Sequence, residues 1–204
     1  DFNKLKLVSP DSSDELTTEN ISWNDAQLFC QRFNEQMTEF NLELPSEAQW
    51  EYACRAGTVS PFNTGNNITT GLANYYGDFP YIGNVVSDSP KRKMLDCLYF
   101  PNSWGLYQMH GNVWEWCQDI LEPYRESTVS DPIIDNSDDN NFSERVLRGG
   151  SWNDRASSCR SAYRHQAHVD GSDDSVGLRI AQIEPVKEIG LHVIVPLERK
   201  SAKS

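Results

Sequence analysis

The residues most suggestive of chemistry lie in one short stretch, GLYQMHGNVWEW, which runs from Gly105 to Trp116. It places His110 directly before a Gly-Asn pair and Glu115 between two tryptophans. One interpretation is a catalytic cluster built from the histidine, the asparagine and the glutamate. The other is a structural corner, in which Gly and Asn form a tight turn and the indoles enter the core. The rest of the sequence has to decide between these two interpretations.

Serine and cysteine nucleophiles gain little support from spacing. Ser46, Ser151 and Ser161 have no histidine and acid partners at spacings that indicate a serine hydrolase. The five cysteines are odd in number, widely spaced and without a Cys-x-x-Cys pair. We therefore expect mostly buried thiols, with a secreted disulfide framework as the alternative. His165 and His168 are three residues apart, and a zinc site there would need two further ligands.

Two segments are expected to form helices that position these residues. In residues 21–37, apolar residues recur at three- and four-residue steps behind Ser22, which predicts an amphipathic helix with Ser22 as its N-cap. Ser46 and Gln49 have the spacing of a capping box, which predicts a second helix over about residues 47–55. The residues of this helix that we expect to face the core are Trp50, Ala53 and Cys54.

The remaining segments predict short strands joined by long loops. Gly, Asn, Pro and Tyr dominate residues 58–104 without a helical period. Residues 130–144 are acidic and Asn-rich, and we interpret them as a solvated loop because they lack the ligand spacing of a calcium loop. RVLRGGSW (145–152) predicts a strand that bends at its Gly-Gly pair, and GLRIAQ (177–182) predicts another. A further strand pair is expected within residues 186–197.

Composition limits the function classes. The chain has 204 residues, of which 38% are hydrophobic, and this suits one globular domain. With 18 Lys and Arg against 30 Asp and Glu, its net charge of -12 disfavours nucleic acid and acidic membrane surfaces. No run approaches the roughly 20 apolar residues of a membrane helix, so no membrane insertion is expected. We expect a soluble domain, cytoplasmic or at a cell surface as part of a larger protein, and the sequence does not indicate its oligomeric state.

Five blocks in this order resemble the formylglycine-generating enzyme or sulfatase-modifying factor family: ISWNDAQLFC, LPSEAQWEYACRAG, NSWGLYQMHGNVWEWCQD, RVLRGGSW and GLRIA. The resemblance covers about residues 21–182. It implies an α+β domain with the C-type-lectin-like fold of this family, which has two short helices, short antiparallel strands and a high loop content. Residues 1–20 would then be an N-terminal extension or the remnant of an upstream segment. Residues 183–204 would be a C-terminal strand extension and tail.

The resemblance favours the structural interpretation of the opening stretch. In such a fold, residues 113–116 suit a short strand with buried indoles, and His110 is a turn residue. The family also places a calcium ion at this turn, and the ligands carried over by position are Gln108, the carbonyls of Gly111 and Val113, and Glu115. Gln108 is longer than the Asn or Asp common there, which weakens the site. A second, weaker calcium site would use Asn74 and the Tyr75 carbonyl, without matching ligands in residues 77–89.

The copper chemistry of the family is not expected here. Its oxygen-dependent enzymes bind copper(I) through two cysteines five positions apart after the Arg-Gly-Gly-Ser strand, because soft thiolates suit this ion. Here Cys159 lies in that segment, Arg164 stands five positions further on, and no cysteine follows. Other family members use iron held by histidines of a separate helical domain, and the four histidines of this chain form no matching cluster.

Residues 152–175 resemble the variable region of proteins that are diversified by retroelements, in which a lectin-like domain displays a mutable patch for ligand binding. Such systems randomise adenines, so that Asn codons become codons for Asp, Ser, His, Tyr, Arg, Ala and similar residues. The candidate ligand-binding residues are Trp152, Asn153, Asp154, Arg155, Ser157, Ser158, Tyr163, His165, Ala167, His168, Asp173, Asp174 and Ser175. Gln166 does not arise easily from an Asn codon, and a fixed polar loop is the alternative.

These observations favour a non-catalytic domain that binds a protein or glycan ligand through residues 152–175. The alternative is an oxidoreductase of the same family that acts through Cys159, and a third possibility is an interaction module of a larger protein. Three arginines, Arg148, Arg160 and Arg179, are expected to hold loops in place through carboxylates and carbonyls.

Overall fold

The computed structural model describes residues 19–37, 41–83, 99–124, 132–134, 143–182 and 192–193. Within these residues lie two helices, α1 (Trp23–Gln36) and α2 (Glu47–Arg55), and a short 3-10 turn, Ala156–Cys159. The strands are β1 (Leu42–Glu43), β2 (Trp114–Trp116), β3 (Glu144–Arg148), β4 (His165–His168), β5 (Val176–Gly177), β6 (Ala181–Gln182) and β7 (His192–Val193). Long irregular segments connect these elements, as the predicted α+β fold requires.

Both predicted helices are confirmed, and each begins with a capping box. The Ser22 hydroxyl accepts a hydrogen bond from the Asp25 N–H, and the Asp25 carboxylate accepts one from the Ser22 N–H. Ser46 and Gln49 make the same reciprocal pair at the start of α2. These bonds satisfy N–H groups that a helix start leaves without intrahelical acceptors. The core-facing residues of α2 are Trp50, Ala53 and Cys54, as predicted, together with Glu47.

The strands form two sheets. The larger has the order β4-β3-β2-β5, and the smaller has the order β1-β6-β7. All pairings are antiparallel except that between β2 and β5, which is parallel. The prediction of one strand over residues 177–182 was wrong, because β5 and β6 belong to different sheets. The chain crosses between the sheets at Arg179, whose guanidinium binds Glu115 and the Tyr107 carbonyl.

The bend predicted after β3 is confirmed at its two glycines. Gly149 and Gly150 have φ angles of 98° and 78°, a region that favours glycine over other residues. A Cβ atom on Gly150 would lie 2.6 Å from the Cys159 sulfur. The bend therefore depends on glycine both for its backbone angles and for the close packing of Cys159.

The predicted alternation in β2 is also confirmed. Trp114 and Trp116 both pack into a core cluster with Ile21, Leu44 and Leu147. The intervening Glu115 points to the opposite side of the sheet, where its carboxylate meets the α2 indole of Trp50. The sheet therefore separates the indole-rich core cluster from a second apolar cluster beneath α2, which includes Trp50, Ala53 and Val146.

Parts of three predicted segments lie outside the described residues. Of residues 130–144, only 132–134 and 143–144 are described, and there the Ile134 N–H donates to the Asp119 carboxylate at 3.0 Å. Of residues 186–197, only 192–193 are described, as strand β7 paired with β6. Of residues 1–20, only Glu19 and Asn20 are described, and Glu19 bridges to Gly177.

Candidate functional site

Glu115 is held by three donors rather than exposed for catalysis. Its Oε2 accepts from Trp50 Nε1 at 2.6 Å and from Arg179 Nε at 2.8 Å, and its Oε1 accepts from Arg179 Nη2 at 2.7 Å. The residue is 6% exposed. Such a two-pronged guanidinium contact fixes the carboxylate and balances its charge. Glu115 therefore links β2 to α2 and to the crossing between the sheets.

His110 is a buried core residue, which goes beyond the turn role that we predicted. Its Nδ1 lies 2.8 Å from the Cys159 carbonyl oxygen, and its Nε2 accepts from the Asn63 N–H at 2.9 Å. These partners assign the proton to Nδ1. Burial lowers the pKa of His110 from 6.5 to about 4, so the ring is neutral at physiological pH. His110 joins three loops, and the Cys54 thiol lies 3.9 Å from both of its ring nitrogens. Burial raises the pKa of Cys54 to about 12, so this thiol stays protonated at neutral pH and does not form a reactive thiolate beside the ring.

Among the predicted calcium ligands at this turn, the Glu115 carboxylate already has a cationic partner in the described arrangement. Glu115 is the only anionic member of the set, and the Arg179 guanidinium already neutralises it. Calcium affinity depends strongly on the number of charged ligands, and Gln108 adds none. No group of three or more His, Cys, Asp or Glu side chains in the described ranges is arranged to hold a metal ion. Calcium binding stays a prediction without support from this geometry.

The weaker calcium site has a structural role in the described residues. Asn74 is 1% exposed, and its side-chain amide donates to the Asn112 side chain at 3.2 Å. Its carbonyl accepts from the Asn112 N–H at 2.8 Å. The Tyr75 hydroxyl donates to the Ile68 carbonyl at 3.3 Å. These bonds fasten residues 68–75 to the turn before β2. Residues 84–89, where further ligands of this site were expected, lie outside the described residues.

Cys159 does not present a reactive thiol. It is 0% exposed and packs against the buried rings of Phe62 and Tyr75. Burial raises the pKa of this thiol well above its usual value, and the nearby Asp154 carboxylate raises it further. Since the thiolate is the nucleophile and the metal ligand, a group with a raised pKa serves neither purpose at neutral pH.

The positions five residues before and after Cys159 are Asp154 and Arg164, so no second cysteine completes a pair in either direction. Arg164 instead forms a double ion pair with Glu47, in which Nε and Nη2 each lie 2.5 Å from a carboxylate oxygen. Its Nη1 donates to the Glu122 carbonyl at 2.7 Å, and its guanidinium stacks over the Tyr124 ring. The second position of the pair is therefore occupied by a bound cation and not by the second thiolate that a copper(I) site requires.

The arginine prediction is confirmed. Arg148 is fully buried, where it donates to Glu51 and to the Tyr163 carbonyl and lies 3.4 Å from Glu47. Arg160 donates to the Ser157 carbonyl at 2.9 Å. Together with the contact between Arg179 and Glu115, these bonds hold the segment after β3 against α2 and β2. Sequence reasoning missed Glu47 and Glu51, because nothing in α2 alone shows which arginines they meet.

The centre of the predicted binding segment lies around the Trp114 indole. The Tyr163 ring is 6.0 Å from that indole, and the His165 ring is 5.1 Å away. Side chains alternate along a strand, so Tyr163, His165 and Ala167 share one face of β4 and its approach. His168 points to the other face. The two histidines therefore cannot share a zinc ion, which contradicts the zinc hypothesis.

Trp152 and the turn at residues 173–175 border this centre. Trp152 Nε1 donates to the Asp174 carbonyl at 3.4 Å, and the Trp114 N–H donates to the Ser175 carbonyl at 2.7 Å. The Asp173 carboxylate accepts from the Ser175 N–H at 2.7 Å and thereby shapes the turn. The name aromatic patch is used below for Trp152, Tyr163, His165 and residues 173–175 around the Trp114 indole.

A second part of the segment lies against a loop that sequence reasoning missed. The Tyr76 N–H donates to the Asp154 carbonyl at 2.8 Å, and the Ala156 N–H donates to the Phe79 carbonyl at 3.2 Å. The Arg155 guanidinium lies 5.7 Å from the Phe79 ring centre. Asn153 is exposed and Ser157 is half-buried beside this contact. The aromatic residues of the loop were visible in the sequence, but their nearness to residues 152–159 was not.

Three predicted binding residues are corrected by their surroundings. Ser158 is 7% exposed, because the 3-10 turn directs it inward beside Cys159, so it cannot contribute to a displayed surface. The Asp154 carboxylate accepts hydrogen bonds from the Ser151 N–H and hydroxyl, which makes it a turn-forming residue. His168 lies at the far end of β4, where its Nδ1 accepts from the Asp170 N–H at 3.2 Å, away from the aromatic patch.

The comparison with protein families matches residues 6–183 to the model described as FGE-sulfatase, the sulfatase-modifying factor enzyme 1-like domain. A formylglycine-generating enzyme of Streptomyces coelicolor is 34% identical over 172 residues, which is 79% of this chain and 51% of that protein. An inactive C-alpha-formylglycine-generating enzyme 2 of Mus musculus is 28% identical over 177 residues, or 82% of this chain and 49% of that one. The chain thus spans about half the length of these curated relatives.

Solved structures show the same fold. PvdO from Pseudomonas aeruginosa superposes with a TM-score of 0.71 at 24% identity, over 84% of this chain and 63% of that one. Treponema denticola variable protein 1 superposes with a TM-score of 0.68 at 22% identity, over 84% and 72% of the two chains. No helix within the described ranges is long and apolar enough to cross a membrane.

Proposed function

Because the chain belongs to the family of sulfatase-modifying factor enzyme 1-like domains, we propose that it is a non-catalytic member that binds a protein or glycan ligand through the aromatic patch. One observation carries the proposal. The segment that bears Cys159 buries this thiol completely and places the half-buried Trp152 and Tyr163 and the exposed His165 around the Trp114 indole. The segment is thus arranged for contact rather than for thiol chemistry.

Two observations argue against catalysis: the buried environment of the Cys159 thiol and the residue five positions after it. Oxidation through Cys159 would require a thiolate in contact with substrate or metal, and the buried thiol has neither access nor a low pKa. Five residues after Cys159, where a second cysteine would be needed, stands Arg164, and its guanidinium is ion-paired with Glu47. No observation on the described residues favours the oxidoreductase alternative.

The case for binding rests on residue types and on rigidity. Trp and Tyr supply large contact areas with few rotatable bonds, and they are enriched among residues that dominate binding energies. Trp114 forms a buried floor below them and is 6% exposed. The backbone on both sides is fixed, because β4 pairs with β3 along its whole length and the Trp152 N–H donates to the Asn112 carbonyl at 2.9 Å. A ligand would therefore meet a preorganised surface.

The pattern of burial also supports diversification as a part of this proposal. Residues on the Tyr163, His165 and Ala167 face alternate with residues that hold the fold, such as Arg164. The frame residues Ser151, Cys159 and Ser161 are each at most 1% exposed. Substitutions at the exposed His165 would therefore leave the frame contacts intact, whereas Tyr163 and Ala167 are half-buried against the core cluster around Trp114, so a substitution there also changes core packing.

The first experiment tests binding directly with a library of short random peptides and a glycan array, applied to the purified full chain. We expect bound peptides or glycans whose affinity falls about tenfold or more in Tyr163→Ala, in line with the loss of an aromatic anchor. Tyr52→Ala provides the matched control, because Tyr52 is an exposed aromatic residue on α2 that packs on Trp104. Equal loss in both variants, or no selective binding to either library, would overturn the proposal.

Two further measurements address catalysis and diversification. The chain is incubated with a cysteine-containing peptide, copper and oxygen, and mass spectrometry follows conversion of the cysteine to an aldehyde. We expect no conversion, and a catalytic rate of aldehyde formation would overturn the non-catalytic assignment. Deep sequencing of codons 145–181 across the source population tests diversification, and an invariant segment would remove that part of the proposal.

A further inference from the structure

Arg155 differs from the other arginines that the structure describes. It is the one exposed arginine among them, and the others are at least half-buried. Arg148, Arg164 and Arg179 are paired with carboxylates, whereas the guanidinium of Arg155 has no carboxylate partner within the described residues. Its contact there is the face of the Phe79 ring, at 5.7 Å. An aromatic face orients a guanidinium while leaving its N–H groups available.

Of the aromatic side chains beside Arg155, Phe79 is exposed and Tyr76 is half-buried, and both are anchored. Phe79 is 52% exposed, and its ring lies 5.5 Å from that of Tyr76. Hydrogen bonds from the Tyr76 N–H to the Asp154 carbonyl and from the Ala156 N–H to the Phe79 carbonyl fix this loop to the binding segment. The Asp78 carboxylate accepts from the Tyr76 hydroxyl and raises the pKa of that hydroxyl. The loop thus offers two rings next to one cation with open hydrogen-bonding capacity.

We propose that Tyr76, Phe79 and Arg155 form an acid-recognising subsite for a partner protein that presents a carboxylate next to an apolar side chain. The planar guanidinium would bind the carboxylate through two parallel hydrogen bonds, and the rings would cover the apolar neighbour. Arg, Tyr and buried aromatic contacts are the residue types that dominate protein interfaces. The inference rests on the proposed binding function and extends the surface beyond residues 152–175.

Charge restricts the partner further. The net charge of -12 repels a strongly acidic tract at long range, so a partner with many acidic residues would be disfavoured. Asp78 lies between Tyr76 and Phe79 in sequence, Asp154 directly precedes Arg155, and the two carboxylates accept hydrogen bonds from Tyr76 and Ser151. A single carboxylate placed at Arg155 fits this field better than an acidic stretch does.

The experiment selects short random peptides displayed on phage against the full wild-type chain and against Arg155→Glu. We expect wild-type selections to be enriched in Asp or Glu beside an apolar residue, and Arg155→Glu selections to be enriched in Lys or Arg instead. Affinity of a wild-type-selected peptide should fall about tenfold in Phe79→Ala and more in Arg155→Glu. Tyr52→Ala serves as the control, and thermal unfolding verifies that each surface variant remains folded.

The outcomes separate this inference from the proposed function. Loss of affinity in Tyr163→Ala but not in Arg155→Glu or Phe79→Ala would overturn the subsite and leave the aromatic patch. Loss in Arg155→Glu and Phe79→Ala but not in Tyr163→Ala would support the subsite and overturn the patch. Failure to enrich any peptide, or enrichment without acidic residues, would overturn the subsite.

Discussion

The burial of His110 predicts a specific loss of stability in mild acid. Its pKa lies at about 4 in the folded chain and at 6.5 in the unfolded chain, so the unfolded chain binds the proton first as pH falls. The stabilising effect of the neutral ring is therefore complete above about pH 6.5 and is lost as pH falls towards 4. The full difference amounts to about 3 kcal/mol, of which about 2.5 kcal/mol is lost by about pH 4.5.

The perturbation that isolates this effect is His110→Gln. Glutamine keeps a donor and an acceptor for the Cys159 carbonyl and the Asn63 N–H but does not titrate. The free energy of unfolding is measured by urea titration at about pH 7 and about pH 4.5 for both proteins. We expect the variant to be less stable at neutral pH, because glutamine fills the cavity less well, but to lose about 2.5 kcal/mol less on acidification than the wild type.

Comparing the change in unfolding free energy between the two pH values in both proteins removes the contributions of other titratable groups. Burial raises the pKa of Asp119, which opposes the acid loss, but this group is present in both proteins. An equal change in unfolding free energy between the two pH values in wild type and variant would refute the assignment of a depressed pKa to His110. Direct NMR titration of the His110 ring provides an independent measurement of that pKa.

Three further predictions concern the described contacts. Glu115→Gln should lower the unfolding free energy by about 3 kcal/mol, because it leaves Arg179 without its counter-charge; a loss below about 0.5 kcal/mol in urea titration would contradict this. Removal of calcium by a chelator should change the thermal midpoint by less than about 1 °C, since Arg179 already neutralises Glu115; a shift of about 5 °C in calorimetry would instead support a bound ion. Iodoacetamide should leave Cys54 and Cys159 unmodified in the native chain and label them after unfolding. The reason is that burial raises the pKa of both thiols, that of Cys54 to about 12. Native labelling detected by peptide mass spectrometry would contradict their burial.

Local features of this fold could be predicted from the sequence because short-range chemistry determines them. Ser22 and Ser46 begin helices through bonds to residues three positions away, and the spacing alone reveals both capping boxes. The strand at Trp114–Trp116 follows from alternation, and the bend after β3 follows from two adjacent glycines. Five sequence blocks in a fixed order indicated the family, and the family indicated the architecture.

Features that depend on distant residues could not be predicted in the same way. The sequence indicates that Arg164 is not a cysteine, but not that Glu47 meets it. Residues 165–168 carry no strong strand pattern, and they form β4 because β3 offers them a complete ladder of partners. The exposed Phe79 becomes part of a candidate surface only because the fold brings its loop beside Arg155.

The ion-pair network between α2 and the larger sheet has a consequence for the kinetics of folding. Arg148 and Glu51 are 97 residues apart in sequence, and Arg164 and Glu47 are 117 residues apart. Contacts that close such long loops form only after most of the chain has been ordered. Removing Arg164 should therefore accelerate unfolding while leaving the folding rate nearly unchanged. This network therefore forms late in folding and slows the unfolding of the native domain.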